Sequence, residues 1–173
     1  WARRWVEETG ANPVAMLTGQ PEQHYLLSGS GGYGFIAKLG DMVGRVKAGK
    51  VVMTVDSGET VLPPIAVYAS SLINPDCKIV LASSDHRLLA FSIGELKVMP
   101  KGRGLQLMSL TEGASLEHVL VTTAAEFIVE TVGKRGAAHQ EKLRICDIEG
   151  KRGKKGKVLD ISGRLKTLSA ASE

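Results

Sequence analysis

Apolar and polar positions alternate along this chain in short runs, and the runs come as a set that recurs about every fifty residues. Each set holds one alternating run, a small cluster of glycine and basic residues, and a second alternating run. The first set joins 32–38 to 47–55, the second joins 85–91 to 101–110, and the third, more charged, joins 133–138 to 151–161. Aligning Gly49, Gly104 and Gly156 gives separations of 55 and 52 residues, the spacing of a propeller-like array of four-stranded blades.

Within the sets, runs at 24–28, 34–38, 51–55, 79–82, 88–92, 105–110, 119–122, 127–132 and 158–161 are β-branched or alternating and bounded by turn formers. They predict short strands. Asp85-His86 predicts a tight hairpin, and Ser57-Gly58 a turn after Val55. Pro63-Pro64 and Asn74-Pro75 mark connections, because proline cannot donate to a ladder. Only 93–97 and 140–143 read as single helical turns. The fold class is therefore all-β, one domain over 1–173 with repeats at about 21–68, 77–121 and 122–169.

A chain of 173 residues is long enough for a core of its own. No apolar run approaches the roughly eighteen residues that span a bilayer, so a soluble protein is expected. The start lacks an initiator Met and a leader pattern, and reads as an excised fragment. Cys77 and Cys146 lie far apart beside apolar runs, which predicts two buried free thiols in a reducing cytoplasm.

Net charge is +4, but it is unevenly spread. Between Lys134 and Lys166 there are eleven basic residues against four acidic ones, an excess of +7 that leaves the rest of the chain at −3. Such a patch favours a polyanion through counterion release, and nucleic acid is the commonest in the cytoplasm. The basic clusters recur at equivalent repeat positions, which a merely solvated surface does not require. The candidate contacts are Lys47 and Lys50 in the first repeat and Lys101 and Arg103 in the second. In the third they are Lys134, Arg135, Lys151, Arg152, Lys154, Lys155 and Lys157.

Other chemistry is weak. Gly29, Gly31 and Gly34 satisfy G-x-G-x-x-G, with Asp56 about twenty residues on, as in a dinucleotide fold. That motif needs a helix at its last glycine, whereas 35–38 alternates like a strand and Gly40 and Gly44 would break a helix. The string also resembles a kinase glycine loop, but no H-R-D or D-F-G follows. A glycine-rich hairpin is the better reading. His24, His86, His118 and His139 are dispersed and suit strand ends or turns better than a metal site. No serine sits in a nucleophile elbow, Glu7 and Glu8 point apart, and the aromatics are too scattered for base stacking. No catalytic residue and no metal ligand is expected.

Several strings, in this order, resemble the C-terminal domain of the topoisomerase IV A-subunit (ParC) family from about Val14 to Ile161. They are Leu-Leu-Ser-Gly-Ser-Gly-Gly-Tyr-Gly-Phe at 26–35, Arg-Val-Lys-Ala-Gly-Lys at 45–50, Val-Leu-Pro-Pro at 61–64, Pro-Lys-Gly-Arg-Gly at 100–104 and Val-Gly-Lys-Arg at 132–135. The related domain of gyrase A carries a fuller glycine-rich basic box. Here Lys-Arg-Gly-Lys-Lys-Gly at 151–156 is its nearest, degenerate version, which favours topoisomerase IV.

The resemblance implies a β-pinwheel, in which neighbouring blades exchange strands, and a basic edge that binds and bends double-stranded DNA. It implies an accessory domain without cofactor, joined to the rest of the A-subunit, and through it to the B-subunit, in an A2B2 parent that uses ATP and Mg2+. The parent would decatenate and relax DNA during chromosome segregation, in the cytoplasm on the nucleoid, with a peripheral association to the inner membrane. Tyr25, Tyr33 and Tyr68 do not match the cleavage tyrosine's motif. Residues 1–4 resemble the opening of the family's first blade, yet the chain from Trp5 resembles a later one, so about a blade's worth of sequence is missing at that junction. The alternatives are a gyrase-type DNA-wrapping domain, a protein-binding propeller and, least favoured, a nucleotide-binding enzyme.

Overall fold

The computed structural model describes residues 13–46, 48–133, 136–160 and 163–171. Eleven strands in that part of the chain form three antiparallel sheets. The first contains β1 (His24–Ser28), β2 (Tyr33–Lys38), β3 (Ile65–Val67) and β6 (Leu105–Gln106), in the order β3-β1-β2-β6. The second contains β4 (Lys78–Ser83), β5 (Arg87–Ser92), β7 (Leu116–Thr122) and β10 (Lys157–Val158), in the order β10-β5-β4-β7. The third has β11 (Arg164–Ala170), β8 (Glu126–Val132) and β9 (Ala138–Arg144), in the order β11-β8-β9.

The sheets stack, and the strand patterns follow from the stacking. Leu26 and Ile36 of the first sheet meet Ile79, Leu81, Leu89 and Phe91 of the second in one core. The opposite faces of β4 and β5, through Val80, Ala82, Leu88 and Ala90, meet Phe127, Val129 and Leu165 of the third sheet in another. A smaller cluster of Tyr25, Leu27, Phe35 and Ala37 lies on the other face of the first sheet. Strands such as β4 are therefore buried on both faces and read as continuous apolar runs, while β8 alternates because it packs on one side only.

One feature of the topology repeats. β6 follows β5 in the chain but pairs with β2, and β10 follows β9 but pairs with β5. Each repeat thus sends an arm onto the second strand of the repeat before it. A short helical turn precedes each arm, at Leu39–Met42, Ile93–Glu95 and Ile145–Ile148. This strand exchange makes the array a β-pinwheel.

Several expectations need correction. Residues 51–55 form no ladder; Met53 makes only an isolated bridge to Gly102. The reason is that, among the described residues, no strand stands where their acceptor would be. The run at 105–110 is paired only at Leu105–Gln106, and that at 158–161 only at Lys157–Val158, with Ile161 outside the described residues. Residues 140–143 are not a helical turn but part of β9, drawn into the ladder by β8. β3 and β11 fall outside every run predicted as a strand. Cys77 is buried, and burial pushes its thiol up. Cys146 is exposed, because it lies in the short turn Ile145–Ile148 that buries only its two isoleucines. No described helix is long and apolar enough to cross a membrane.

Candidate nucleic-acid interface

The basic clusters lie on the crossing arms, and backbone geometry fixes them there. Gly104 and Gly156 adopt φ of +87° and +73°, where an L side chain is strained. A Cβ on either would come within 2.3 Å of the Gly34 oxygen or 2.5 Å of the Leu88 oxygen. Glycine is what lets the arm lie against its acceptor strand. The turn ahead of each arm is then clamped from the other side. The Gly102 N–H donates to Val52 O (2.9 Å) and receives Thr54 N–H at its own carbonyl (3.0 Å). The Gly153 N–H likewise donates to Leu107 O (2.8 Å), and Ser109 N–H donates to Lys154 O (3.0 Å). Turns 99–104 and 151–156 therefore hold the same relation to the repeat before them, and the array presents its basic turns along one edge.

The side chains differ more than the spacing suggests. Lys151, Lys154 and Lys155 are exposed on the clamped third turn and, among the described residues, no carboxylate pairs with them. Lys157 is exposed too, although its Nζ donates to the Asp147 carbonyl at 2.5 Å. Arg152 is half-buried; its guanidinium donates to Gln106 O at 2.6 Å and its backbone N–H to Glu95 Oε2 at 3.1 Å. It bolts the third arm to the second.

Arg103 is held in the same structural way. Its guanidinium lies 2.7 Å from an Asp56 oxygen and 3.4 Å from Glu59 Oε1, and stacks 4.0 Å above the Tyr33 ring. Two carboxylates already answer its charge. Lys101 beside it is exposed, and Lys50 is exposed with its Nζ on the Asp41 carbonyl. Lys47, Lys134 and Arg135 lie outside the described residues. Sequence reading found the basic turns but missed Asp56, Glu59, Glu95 and Tyr33, which decide which cations stay free. Their only sequence signal is that Asp56 and Glu59 bracket the Ser57-Gly58 turn.

The remaining basic residues of the third repeat are also engaged. Lys142 pairs with Glu126, Arg144 with Asp147 at 3.1 Å, Lys166 with Glu130 at 2.9 Å and Arg164 with Glu117 at 4.0 Å. The +7 excess therefore concentrates on the 151–157 turn. A cleft of about 600 Å³ lined by Lys78, Glu126, Lys142, Arg144 and Cys146 has its cations paired in this way and contains none of the turn lysines.

The other motifs have structural roles. Gly29–Gly34 is the β1–β2 hairpin: Gly29 N–H donates to Tyr33 O at 2.9 Å, and a Cβ on Gly34 would sit 2.5 Å from Leu27 O. His24 opens β1, His86 takes φ +60° in the β4–β5 turn, and His139 lies in β9. His118 is inside β7 and not at a strand end, and burial lowers its pKa. Tyr25 is buried with its hydroxyl on Thr18 O at 2.7 Å, Tyr33 lies under Arg103, and Tyr68 is exposed.

No protein-family profile matches the chain. The A-subunit of DNA topoisomerase 4 from Neisseria gonorrhoeae is 68% identical over 163 residues, 94% of this chain and 21% of that protein. Its counterpart in Haemophilus influenzae is 32% identical over 102 residues, 59% of this chain and 13% of that protein, and the one in Escherichia coli K12 is 26% identical over 159 residues, 87% and 20%. The chain spans about a fifth of the length of the first of these relatives. Among solved structures, the E. coli ParC C-terminal domain superposes with a TM-score of 0.75 at 23% identity, over 88% of this chain and 62% of that one. The DNA gyrase A C-terminal domain gives 0.67 at 21% identity, over 89% and 50%. With nearly its whole length aligned to the gonococcal protein, and its arms exchanged between sheets as in a β-pinwheel, the chain belongs to the family of C-terminal domains of the bacterial DNA topoisomerase IV A-subunit.

Proposed function

We propose that this domain binds duplex DNA along its basic turns and bends it, so that the parent topoisomerase captures and orients the segment to be passed. The observation that carries this reading is the 151–157 turn. Lys151, Lys154 and Lys155 are exposed, carry no carboxylate partner among the described residues, and stand on a backbone clamped by four hydrogen bonds, from Arg152, Gly153, Lys154 and Ser109. A rigid cluster of unanswered cations fits phosphate, and contacts of that kind position a duplex without reading its sequence. Lys157, Lys101 and Lys50 extend the contact if the DNA follows the edge; Arg103 and Arg152 hold the turns in shape.

Cleavage and ATP use with Mg2+ belong, in this reading, to other parts of an A2B2 enzyme that decatenates and relaxes DNA on the nucleoid. The chain's contribution is capture. Electrophoretic shifts of linear duplex across a salt series test it. Binding should fall steeply and equally for unrelated sequences. A shallow salt slope, or affinity confined to one sequence, would refute phosphate-based capture.

A further inference from the structure

We propose that two copies of this chain exchange arms head to tail: the arm of the first repeat in one copy, Val43 to Val51, pairs with the outer edge of β9 in the next. The chain makes this contact twice within itself. In the first instance Leu105 lies opposite Gly34 and Gln106 opposite Tyr33, with a parallel bridge from Val98 to Ile36. In the second, Lys157 lies opposite Leu88 and Val158 opposite Arg87, with a parallel bridge from Glu149 to Ala90. One donor and one acceptor are left over.

The donor is the first arm. Val43 and Val51 are spaced as Val98 and Gln106 are, eight residues apart. Gly49 holds φ +80°, matching Gly104 at +87° and Gly156 at +73°. Yet its Cβ position meets nothing within 4 Å, where those of Gly104 and Gly156 press on an acceptor carbonyl. The residues after it, Val52 to Thr54, are already clamped by Gly102 as Leu107 to Ser109 are clamped by Gly153 and Lys154. The arm is thus set in its docking conformation without a strand to dock on. It is also apolar: Val43, Val46 and Val51 are 63%, 66% and 76% exposed.

The acceptor is β9. One edge pairs with β8 over seven residues, and its other edge has no strand among the described residues. The Gly133 N–H bonds to Ala137 O, as Gly29 N–H bonds to Tyr33 O, which makes Ala137 and Ala138 the counterparts of Tyr33 and Gly34. The register then sets Lys50 opposite Ala138, Val51 opposite Ala137 and Val43 beside Gln140. In an antiparallel ladder alternate residues turn their polar groups away from the partner. Ala138 and Gln140 therefore aim N–H and C=O outward, as Ile36 does toward Lys97 and Met99. Small side chains at 137 and 138 leave room for the approach that Gly34 permits in the first sheet. An open edge of this kind is a template for strand addition.

Donor and acceptor are different surfaces, so the contact is heterologous. That gives a specific test on the 173-residue chain. Wild-type mass in sedimentation equilibrium should rise above one chain with concentration. Val51→Pro disables the donor and Ala138→Pro removes the outward N–H of the acceptor. Each variant alone should need at least about tenfold higher concentration to associate. Mixed, they should form pairs that stop at two, since each supplies what the other lacks. A monomeric wild type, or variants that associate undiminished, would overturn the proposal.

Should a proline variant fail to fold, a Cys146→Ser background carrying Val51→Cys in one sample and Ala137→Cys in the other gives a second reading. The two should form a mixed disulfide on oxidation in far higher yield than either alone. Absence of that product, or an Ala137→Cys thiol that resists alkylation at low concentration because other polypeptide covers the edge, would equally refute the exchange.

Discussion

Gly156 lies so close to Leu88 that a Cβ at 156 would stand 2.5 Å from the Leu88 carbonyl oxygen, and that contact is where the third repeat joins the second. A side chain there would have to push a buried strand aside, since Leu88 is fully buried in the core between the second and third sheets. The arm turn, the sheet register and the placement of the basic cluster therefore depend on one hydrogen atom.

Glycine replacement should accordingly separate the three arms. Gly156→Ala and Gly104→Ala add a steric clash to the cost of a positive φ, and each should destabilise by about 3 kcal/mol or more. Gly49→Ala meets no neighbour and should cost only about 1 kcal/mol, the left-handed backbone penalty. Denaturant midpoints on dilute protein measure this. Equal losses at all three positions would show that the close approach does not matter.

Removing charge should separate capture from scaffold. Lys151, Lys154 and Lys155 changed together to Ala should lower the slope of log K against log salt by about 0.9 for each lost contact and leave the melting temperature unchanged. Arg152→Ala should do the opposite, because it deletes the donor to Gln106 O and the link between two arms. Salt titrations paired with thermal melts decide between these outcomes. A triple variant with an unaltered slope would reduce the cluster to a solvated surface.

The spacing of Gly49, Gly104 and Gly156, legible in the sequence, marks a real structural equivalence, because each holds the same backbone conformation at the same point of its arm. Strands such as His24–Ser28 were legible because local pattern and burial agree. β9 was not, since Ala-His-Gln-Glu-Lys-Leu-Arg is mostly exposed and becomes a strand only by pairing with β8. Residues 51–55 failed in reverse: they have strand composition but no partner among the described residues. Strand exchange itself leaves no local trace, since a crossing arm and a hairpin strand have the same composition. In the site, positive charge was readable, but its cancellation by Asp56 and Glu59 depends on contacts across 44 or more residues.

In the second repeat the two cations should part company. Arg103→Ala loses an ion pair to Asp56, a weaker one to Glu59 and the stack on Tyr33, together roughly 1–2 kcal/mol at a partly exposed site. Arg103→Lys should recover only part, since a flat guanidinium is what stacks. Lys101→Ala should leave stability alone and reduce DNA curvature, read as a fluorescence distance across a short duplex, more than affinity. Bending costs on the order of 1–6 kcal/mol, so a few outlying contacts govern the bend while the third turn governs the grip. Identical effects of Lys101→Ala and the triple lysine variant on both readouts would contradict that division.

Acid should weaken the fold in two separable steps. Burial lowers the pKa of His118 against the opposing pull of Glu117, so the folded state resists a proton that the unfolded chain accepts at roughly 6.5. Stability should begin to fall as pH drops through that value and stop falling once the folded-state pKa is passed. Asp85 gives the second step. Burial would raise its carboxyl, but the Ser83 and Thr111 hydroxyls, the Arg87 guanidinium and its own backbone amide outweigh burial and hold it below the usual range. Its contribution is complete above roughly 3.9 and is lost as pH falls through the depressed folded value. His118→Asn should therefore flatten the loss just below neutrality and leave the lower step. Asp85→Asn should lower stability at neutral pH and flatten the acid limb. Urea midpoints taken from about pH 8 down to the acid limit would show this, and an unchanged profile in His118→Asn would mean that the histidine protonates as easily in the fold as out of it.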